Sequence, residues 1–302
     1  MTTKYFIVTA GPTGAGKTKL IEKTLIHLGI NDQPYVKILI DDLVESDQNY
    51  KEKISDVIKD IKDKCDKSAD ASNCEKAAYN NPTKELFDKF GAAYYAARRT
   101  AGCHGDSTKT CDQLNDEQIP IATTKNENIV FETTGASIPD WLLDPKFIPS
   151  HYKIVMAYSL VTLSKLIERI KSRLYNAVTF FNADHRHPAP RLPDVSPETF
   201  KNKVEIIFKT LLKLYDSCVL SYDDKTCGKT KISQLLVFDN NGDDLQLKFD
   251  SVGQSLSKTD FKELILPSFG ITDNDISFGG GRRGTKRGTK RGGRRGGRHS
   301  RR

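Results

Sequence analysis

The chain has 302 residues, 37% hydrophobic and 28% charged, which is enough for one large α/β domain or two small ones and excludes disorder over most of its length. No run approaches the roughly 18 apolar residues of a membrane-spanning helix. The net charge of +8 belongs to one end: residues 279–302 hold 11 Lys/Arg and no acid, which leaves the other 278 residues at −3.

The N-terminal MTTKYFIVTAGP lacks the long apolar core and cleavage site of a signal peptide, so the chain reads as intracellular, with a cytoplasmic setting expected and virion or nucleus as the alternatives. Tyr5–Ala10 (YFIVTA) has the length and composition of a buried strand. It runs into Gly11, and Lys17 opens a helical pattern in which Leu20, Ile21, Leu25 and Leu28 share one face before Gly29. Tyr35–Ile40 (YVKILI) reads as a second strand that ends at Asp41 and Asp42.

A polar stretch of about 46–120 follows, with helices expected around 48–64 and 83–99. Ile129–Glu132, Lys153–Tyr158 and Leu235–Phe238 are three further strands, and Leu245–Phe249 alternates like an edge strand. Between them lie apolar stripes over 161–175 (Leu163, Leu166, Ile167, Ile170, Leu174) and 198–216 (Phe200, Val204, Ile207, Leu211, Leu214). Ser196 and Pro197 read as the N-cap and first residue of the second helix. Residues 176–196, with Pro188, Pro190 and Pro193, read as a loop. Strands alternating with helices predict a three-layer α/β sandwich on a mostly parallel five-stranded sheet, occupying residues 1–275 with the polar segment 46–120 inserted between the second and third strands. Residues 276–302 are left as a disordered basic tail.

Cys65, Cys74, Cys103, Cys111, Cys218 and Cys227 contain no C-x2-C pair, which argues against a structural zinc site. Free thiols in a reducing cytosol are the expectation; three local disulfides would require an oxidising setting.

Gly11-Pro12-Thr13-Gly14-Ala15-Gly16-Lys17-Thr18 fits G-x4-G-K-[ST], with a strand before it and a helix after. Glycines let backbone N–H groups converge on phosphate oxygens at the positive end of a helix. Lys17 is placed to reach the β- and γ-phosphates, and the Thr18 hydroxyl to ligate Mg²⁺. ATP and Mg²⁺ are therefore the expected ligands.

The phosphate loop, Ile40-Asp41-Asp42, Phe131-Glu132-Thr133-Thr134-Gly135 and Val237-Phe238-Asp239-Asn240, taken in order over about residues 3–250, resemble the zeta-toxin-like P-loop kinases. The resemblance implies phosphorylation of a small hydroxylated acceptor, a nucleotide-sugar (UDP-N-acetylglucosamine) in the toxins themselves. It implies a general base at Asp41 or Asp42, and a substrate-binding acid at Glu132, which also sits where many P-loop enzymes keep the acid of their magnesium shell. Phosphate-gripping arginines are implied on the helix after the fourth strand and in the loop behind it. The basic repeat tail and Lys/Asn/Asp-rich chain also resemble proteins of large DNA viruses.

Physical reasoning on the same residues gives a compatible site. An acid beyond the second strand lies at the carboxyl edge of the sheet, beside the phosphate loop, where ligands of open α/β sheets bind. If the strand continues through Asp41 and Asp42, alternation lets only one face the loop, and Asp42 is the choice for the base. Lys165, Arg169 and Arg173 share one helix face. Arg186 and Arg191 sit in the proline-rich loop with His185 and His187, and that loop suits a lid. Arg173, Arg186 and Arg191 are the candidate phosphate grips. Phe87, Phe90, Tyr94 and Tyr95 are expected to pack on the sheet or wall the acceptor, with Arg98 and Arg99 at the end of their helix.

The tail, RRGT-KRGT-KRGG-RRGG, can neutralise phosphates without sequence preference, so nucleic acid or another polyanion is the expected partner and no membrane contact is expected. The expectation is an ATP-dependent kinase with a small-molecule acceptor. A polynucleotide or nucleoside kinase, or a nucleic-acid-binding structural protein with a simple or relic NTPase site, are the alternatives.

Overall fold

In the computed structural model the residues described are 3–12, 14–193, 197–220 and 232–270. The strands are β1 (Lys4–Ala10), β2 (Tyr35–Ile38), β3 (Asn128–Thr133), β4 (Tyr152–Leu160), β5 (Gln234–Asp239) and β6 (Gln246–Asp250). They form one sheet in the order β2-β3-β1-β4-β5-β6, parallel except for β6, which closes one edge against β5. The three-layer α/β expectation holds, with six strands rather than five because the 246–250 segment does pair.

Alternation along β1 builds two cores. Ile7 faces α1 (Lys17–His27) with Val130, Val155 and Leu236, against Leu20, Ile21 and Leu25. Phe6 and Val8 face the opposite side, with Ile129, Phe131, Ile154 and Met156, in a larger core shared with most other helices.

The chain between β2 and β3 is almost all helix: α2 (Ile40–Ser46), α3 (Gln48–Cys65), α4 (Ala71–Asn80), α5 (Lys84–Arg99) and α6 (Cys111–Thr124). The second strand stops at Ile38 instead of running to Ile40. Leu39 is the last extended residue, and Asp41 and Asp42 fall in the first turn of α2, where their charges favour the helix dipole. The strand-alternation argument for Asp42 therefore does not apply.

Asp47, 1% exposed, closes the turn between α2 and α3: one oxygen accepts from Tyr50 N (3.1 Å) and the other from His104 N (2.8 Å). His104 Nε2 in turn lies 2.9 Å from Leu43 O, so the 103–105 turn braces α2.

Two disulfides, Cys65–Cys74 and Cys103–Cys111, staple this helical insertion, and Cys218 is disulfide-bonded as well. The free-thiol expectation is overturned for these cysteines. Each local spacing brings its two chain ends together, as α3 turns into α4 and as the 103–105 turn leads to the start of α6. Cys227 lies outside the described residues. Closing a short loop of this kind stabilises by about 2–4 kcal/mol. Reduction is therefore expected to lower the melting temperature by roughly 5–15 °C. Thermal scans with and without reductant check this; an unchanged transition would show that the staples add nothing to the fold.

After β4 come α7 (Leu163–Ala183) and α8 (Pro197–Leu214), and after β6 comes α9 (Lys258–Phe269). The first of these runs eight residues past Tyr175, the expected end, because Val178 and Phe181 continue its buried stripe after Leu166, Ile170 and Leu174. The proline-rich connection thus begins at Asp184. Pro197 opens α8 as expected, whereas Ser196 lies outside the described residues, as do Thr13 and the tail 279–302. Among the described residues, no helix is long and apolar enough to cross a membrane.

Candidate phosphoryl-transfer site

The glycine-rich loop after β1 is tied down from two strands. Ala15 O accepts from Ser159 Oγ at the end of β4 and from Asn240 Nδ2 just past β5, both at 2.6 Å. Gly14 and Gly16 have φ of +88° and +76°. A Cβ at Gly14 would come within 2.9 Å of Leu166 Cδ1, and one at Gly16 would run into the Asn240 amide, so both positions require glycine.

Lys17 opens α1, and its ammonium is 7% exposed, 3.4 Å from Gly11 O and 3.2 Å from Glu132 Oε1 at the end of β3. The Thr18 side chain is exposed beside it. Arg169 of α7 packs against the same loop. Its Nη2 donates to Asn240 O (2.7 Å) and Oδ1 (3.0 Å), while its Nη1 is buried with no hydrogen-bond partner. Burial, with Arg173 alongside, holds the Arg169 pKa below its usual value. A buried ammonium, glycines in the left-handed region and an orphaned guanidinium nitrogen fit a polyphosphate. Thr18 offers a hydroxyl to an accompanying Mg²⁺.

Asp41 is brought to the same edge. Arg191 pairs with it directly, and the Tyr94 hydroxyl donates to Asp41 Oδ1 at 2.5 Å. Burial would raise the Asp41 pKa, but Arg191, Lys17 and Tyr94 outweigh it and hold it at about 2. Asp42, one residue on, points to solvent; burial of part of its carboxyl and the neighbouring Asp41 raise its pKa. Glu132 is also raised, by burial first, with Lys17 opposing.

Glu45, which sequence reasoning missed, joins them one turn after Asp41. Its Oε1 is 3.4 Å from Arg191 Nε, and burial pushes its pKa up to about 7 against the opposing charge of Arg191.

The strap 185–193 lies across α2 and α3, held by Ala189 N on Glu45 O (2.7 Å), Tyr50 Oη on Pro190 O (3.0 Å) and Lys51 Nζ on His185 O (3.0 Å). Beneath it a cavity of about 550 Å³ is lined by Gly14, Glu45, Arg173, Phe180, His187 and Arg191, among others.

Of the expected arginines, Arg191 and Arg173 reach this space. Arg186 does not: its side chain is 92% exposed and forked onto Asp184. Lys165 pairs with Glu168, and His185 meets the edge of Phe181. On α5, Phe90 is buried in the core, Tyr94 turns to Arg191 and Asp41, and half-exposed Tyr95 carries the Arg99 guanidinium 5.0 Å over its ring. Arg98 is engaged by Asp112 at 2.6 Å. Asp47, Cys103 and Cys111 are the closest grouping of metal-ligand types among the described residues, but the disulfide and two backbone N–H groups already occupy them.

No family model matches the chain, and no curated protein matches it in sequence. Among solved structures it is similar to one from the PezAT chromosomal toxin–antitoxin system of Streptococcus pneumoniae (10% identity, TM-score 0.48, covering 91% of this chain and 82% of that one). It is also similar to a Chloroflexus aurantiacus protein proposed to be a kinase (13% identity, TM-score 0.31, covering 68% of this chain and 78% of that one). Both likenesses are distant.

Proposed function

We propose that the chain is an ATP-dependent phosphotransferase acting on a small hydroxylated acceptor, of the zeta-toxin-like kind, with a nucleotide-sugar as the acceptor class to test first. The observation that carries the reading is the convergence of Lys17, Glu132, Asp41 and Arg191 at one sheet edge, over a loop built for phosphates.

Phosphoryl transfer asks the protein for positioning and fixed cations more than for covalent chemistry. Lys17 and the loop N–H groups hold the phosphate chain, and Arg169 offers its free Nη1 to it. Mg²⁺ bound at Thr18 would neutralise charge between the transferring and leaving oxygens. Asp41, fixed by Tyr94 and Arg191, accepts the hydrogen bond of the acceptor hydroxyl and aims it. Held at about 2, this carboxylate is a weak proton acceptor, so orientation is the larger part of its work. Arg173 and Arg191 line the space where charge develops, and the strap forms one wall of it.

The test supplies labelled ATP with sugar-nucleotides, nucleosides and 5′-hydroxyl oligonucleotides in parallel. Label on a sugar-nucleotide supports the reading; label on the oligonucleotide replaces it with a polynucleotide kinase.

The arginine-rich end is proposed to bind nucleic acid or another polyanion. Deleting 279–302 is expected to abolish salt-sensitive DNA or RNA binding and to leave transfer to a small acceptor unchanged, because the remaining residues carry −3. Retained affinity in a filter-binding assay would put the binding surface elsewhere. The disulfides further suggest maturation in an oxidising setting rather than in the reducing cytosol first expected.

A further inference from the structure

Three carboxylates share the space around the phosphate loop with one buried cation, Lys17, and one partly buried cation, Arg191, and the cations are unequally divided. Glu132 has Lys17 at 3.2 Å. Asp41 has Arg191 directly and the Tyr94 hydroxyl besides. Glu45 is left with the Nε of that same guanidinium at 3.4 Å. Its backbone carbonyl accepts from Ala189 N of the strap, which seats this turn of α2 beside Arg191. The Glu45 side chain nevertheless lines the cavity together with Gly14 and Arg173. Of the three acids it gains least from its neighbours.

We propose that Glu45 holds Arg191 while the cavity is free of ligand and takes up a proton from solvent when a polyanion enters and competes for that guanidinium. The proton adds to a carboxylate oxygen, and no other bond changes. The inference rests on the reading that phosphates bind at the Gly11–Thr18 loop.

Negative charge brought near a carboxylate raises its proton affinity, and a group that titrates near neutrality responds most. Burial places Glu45 in that range, at about 7; Arg191 opposes, and Asp41, Asp42 and Glu132 add to the rise. The groups whose charges reach it are Asp41 and solvent-facing Asp42 from α2, Tyr50 from α3 and Glu132 from β3. Arg173 from α7 and Arg191 and His187 from the strap face the same space. The His187 imidazole lines the same cavity, and the test must separate it from Glu45.

The experiment is calorimetric titration of Mg-ATP into the full chain, in buffers of different ionisation enthalpy. Wild type at pH 7 is expected to take up roughly 0.4 proton per nucleotide, the response of a group at half charge to a one-unit rise. Uptake should fade towards pH 5, where Glu45 is already neutral. Glu45→Gln, which keeps shape and a hydrogen-bonding head, is expected to lose the uptake while still giving binding heat; His187→Asn is expected to keep it. Unchanged uptake in Glu45→Gln, or its loss in His187→Asn, would overturn the proposal. Should Glu45→Gln fail to fold, the wild-type pH series decides: uptake that grows towards pH 5 contradicts Glu45 as the acceptor. Absence of binding heat in wild type would remove the phosphate-loop reading and the proposal together, whereas binding without Glu45-dependent protons removes the proposal alone.

Discussion

Lys17→Ala is expected to lower nucleotide affinity and turnover by about 10²–10³-fold while leaving the fold intact, as loss of a fixed cation from a charge-stabilising site does elsewhere. The ammonium is nearly enclosed, with Gly11 O on one side and Glu132 on the other, so no solvent cation takes its place at equal distance. Alanine is at home in the first turn of α1. Glu132 loses its cation, but it can answer by protonating, since burial already raises its pKa. Circular dichroism checks the fold, and calorimetry with ATP checks the affinity. Wild-type affinity and turnover in the variant would mean that the loop holds no phosphates.

The two adjacent aspartates give the second large effect, and they should separate sharply. Asp41→Asn removes the carboxylate that Arg191 and Tyr94 fix beside Lys17, and is expected to reduce transfer by about 10²-fold. The lower end of the range for proton-accepting groups is appropriate because a carboxylate held at about 2 contributes mostly orientation. ATP binding should persist. Asp42→Asn changes a solvent-facing group and should stay within a few-fold of wild type.

The pH dependence follows from the same shift. Asp41 has its pKa lowered from 3.8, so its contribution to stability is fully present above about pH 4 and is lost as pH falls towards 2. Glu45, raised from 4.5 to about 7, works the other way: its ionisation costs stability as pH rises across that window. Equal, mild losses in the two aspartate variants would mean that neither orients the acceptor.

The residues that were legible in the sequence are those whose roles are local. The phosphate loop needs glycines, a lysine and a helix start within eight positions, and β1, β3, β4 and β5 are short apolar runs. The end of β2 was misread because Leu39 and Ile40 look like strand, while Asp41 and Asp42 act as the acidic first turn of a helix. With that helix recognised, the i, i+4 spacing of Asp41 and Glu45 would have placed both acids on one face.

The choice of Arg191 over Arg186 could not be read, because it depends on where the strap lands. Tyr50 and Pro190, 140 residues apart, decide that through one hydrogen bond among several. The disulfides were half legible: the spacing permits the pairings, but composition carries no record of the redox conditions that select them. Arg169 belonged to a readable basic face, yet nothing in that face distinguishes the guanidinium that packs on Asn240 from the ammonium of Lys165, which pairs with Glu168.

The most direct test of the account is the fate of the γ-phosphate. Purified chain incubated with Mg²⁺, ATP labelled at the γ-position and a panel of hydroxylated small molecules should move label onto one acceptor class, faster than it releases inorganic phosphate. Lys17→Ala should do neither. Label recovered wholly as inorganic phosphate whatever acceptor is supplied, or released equally by Lys17→Ala, would contradict the assignment of this chain as a phosphotransferase.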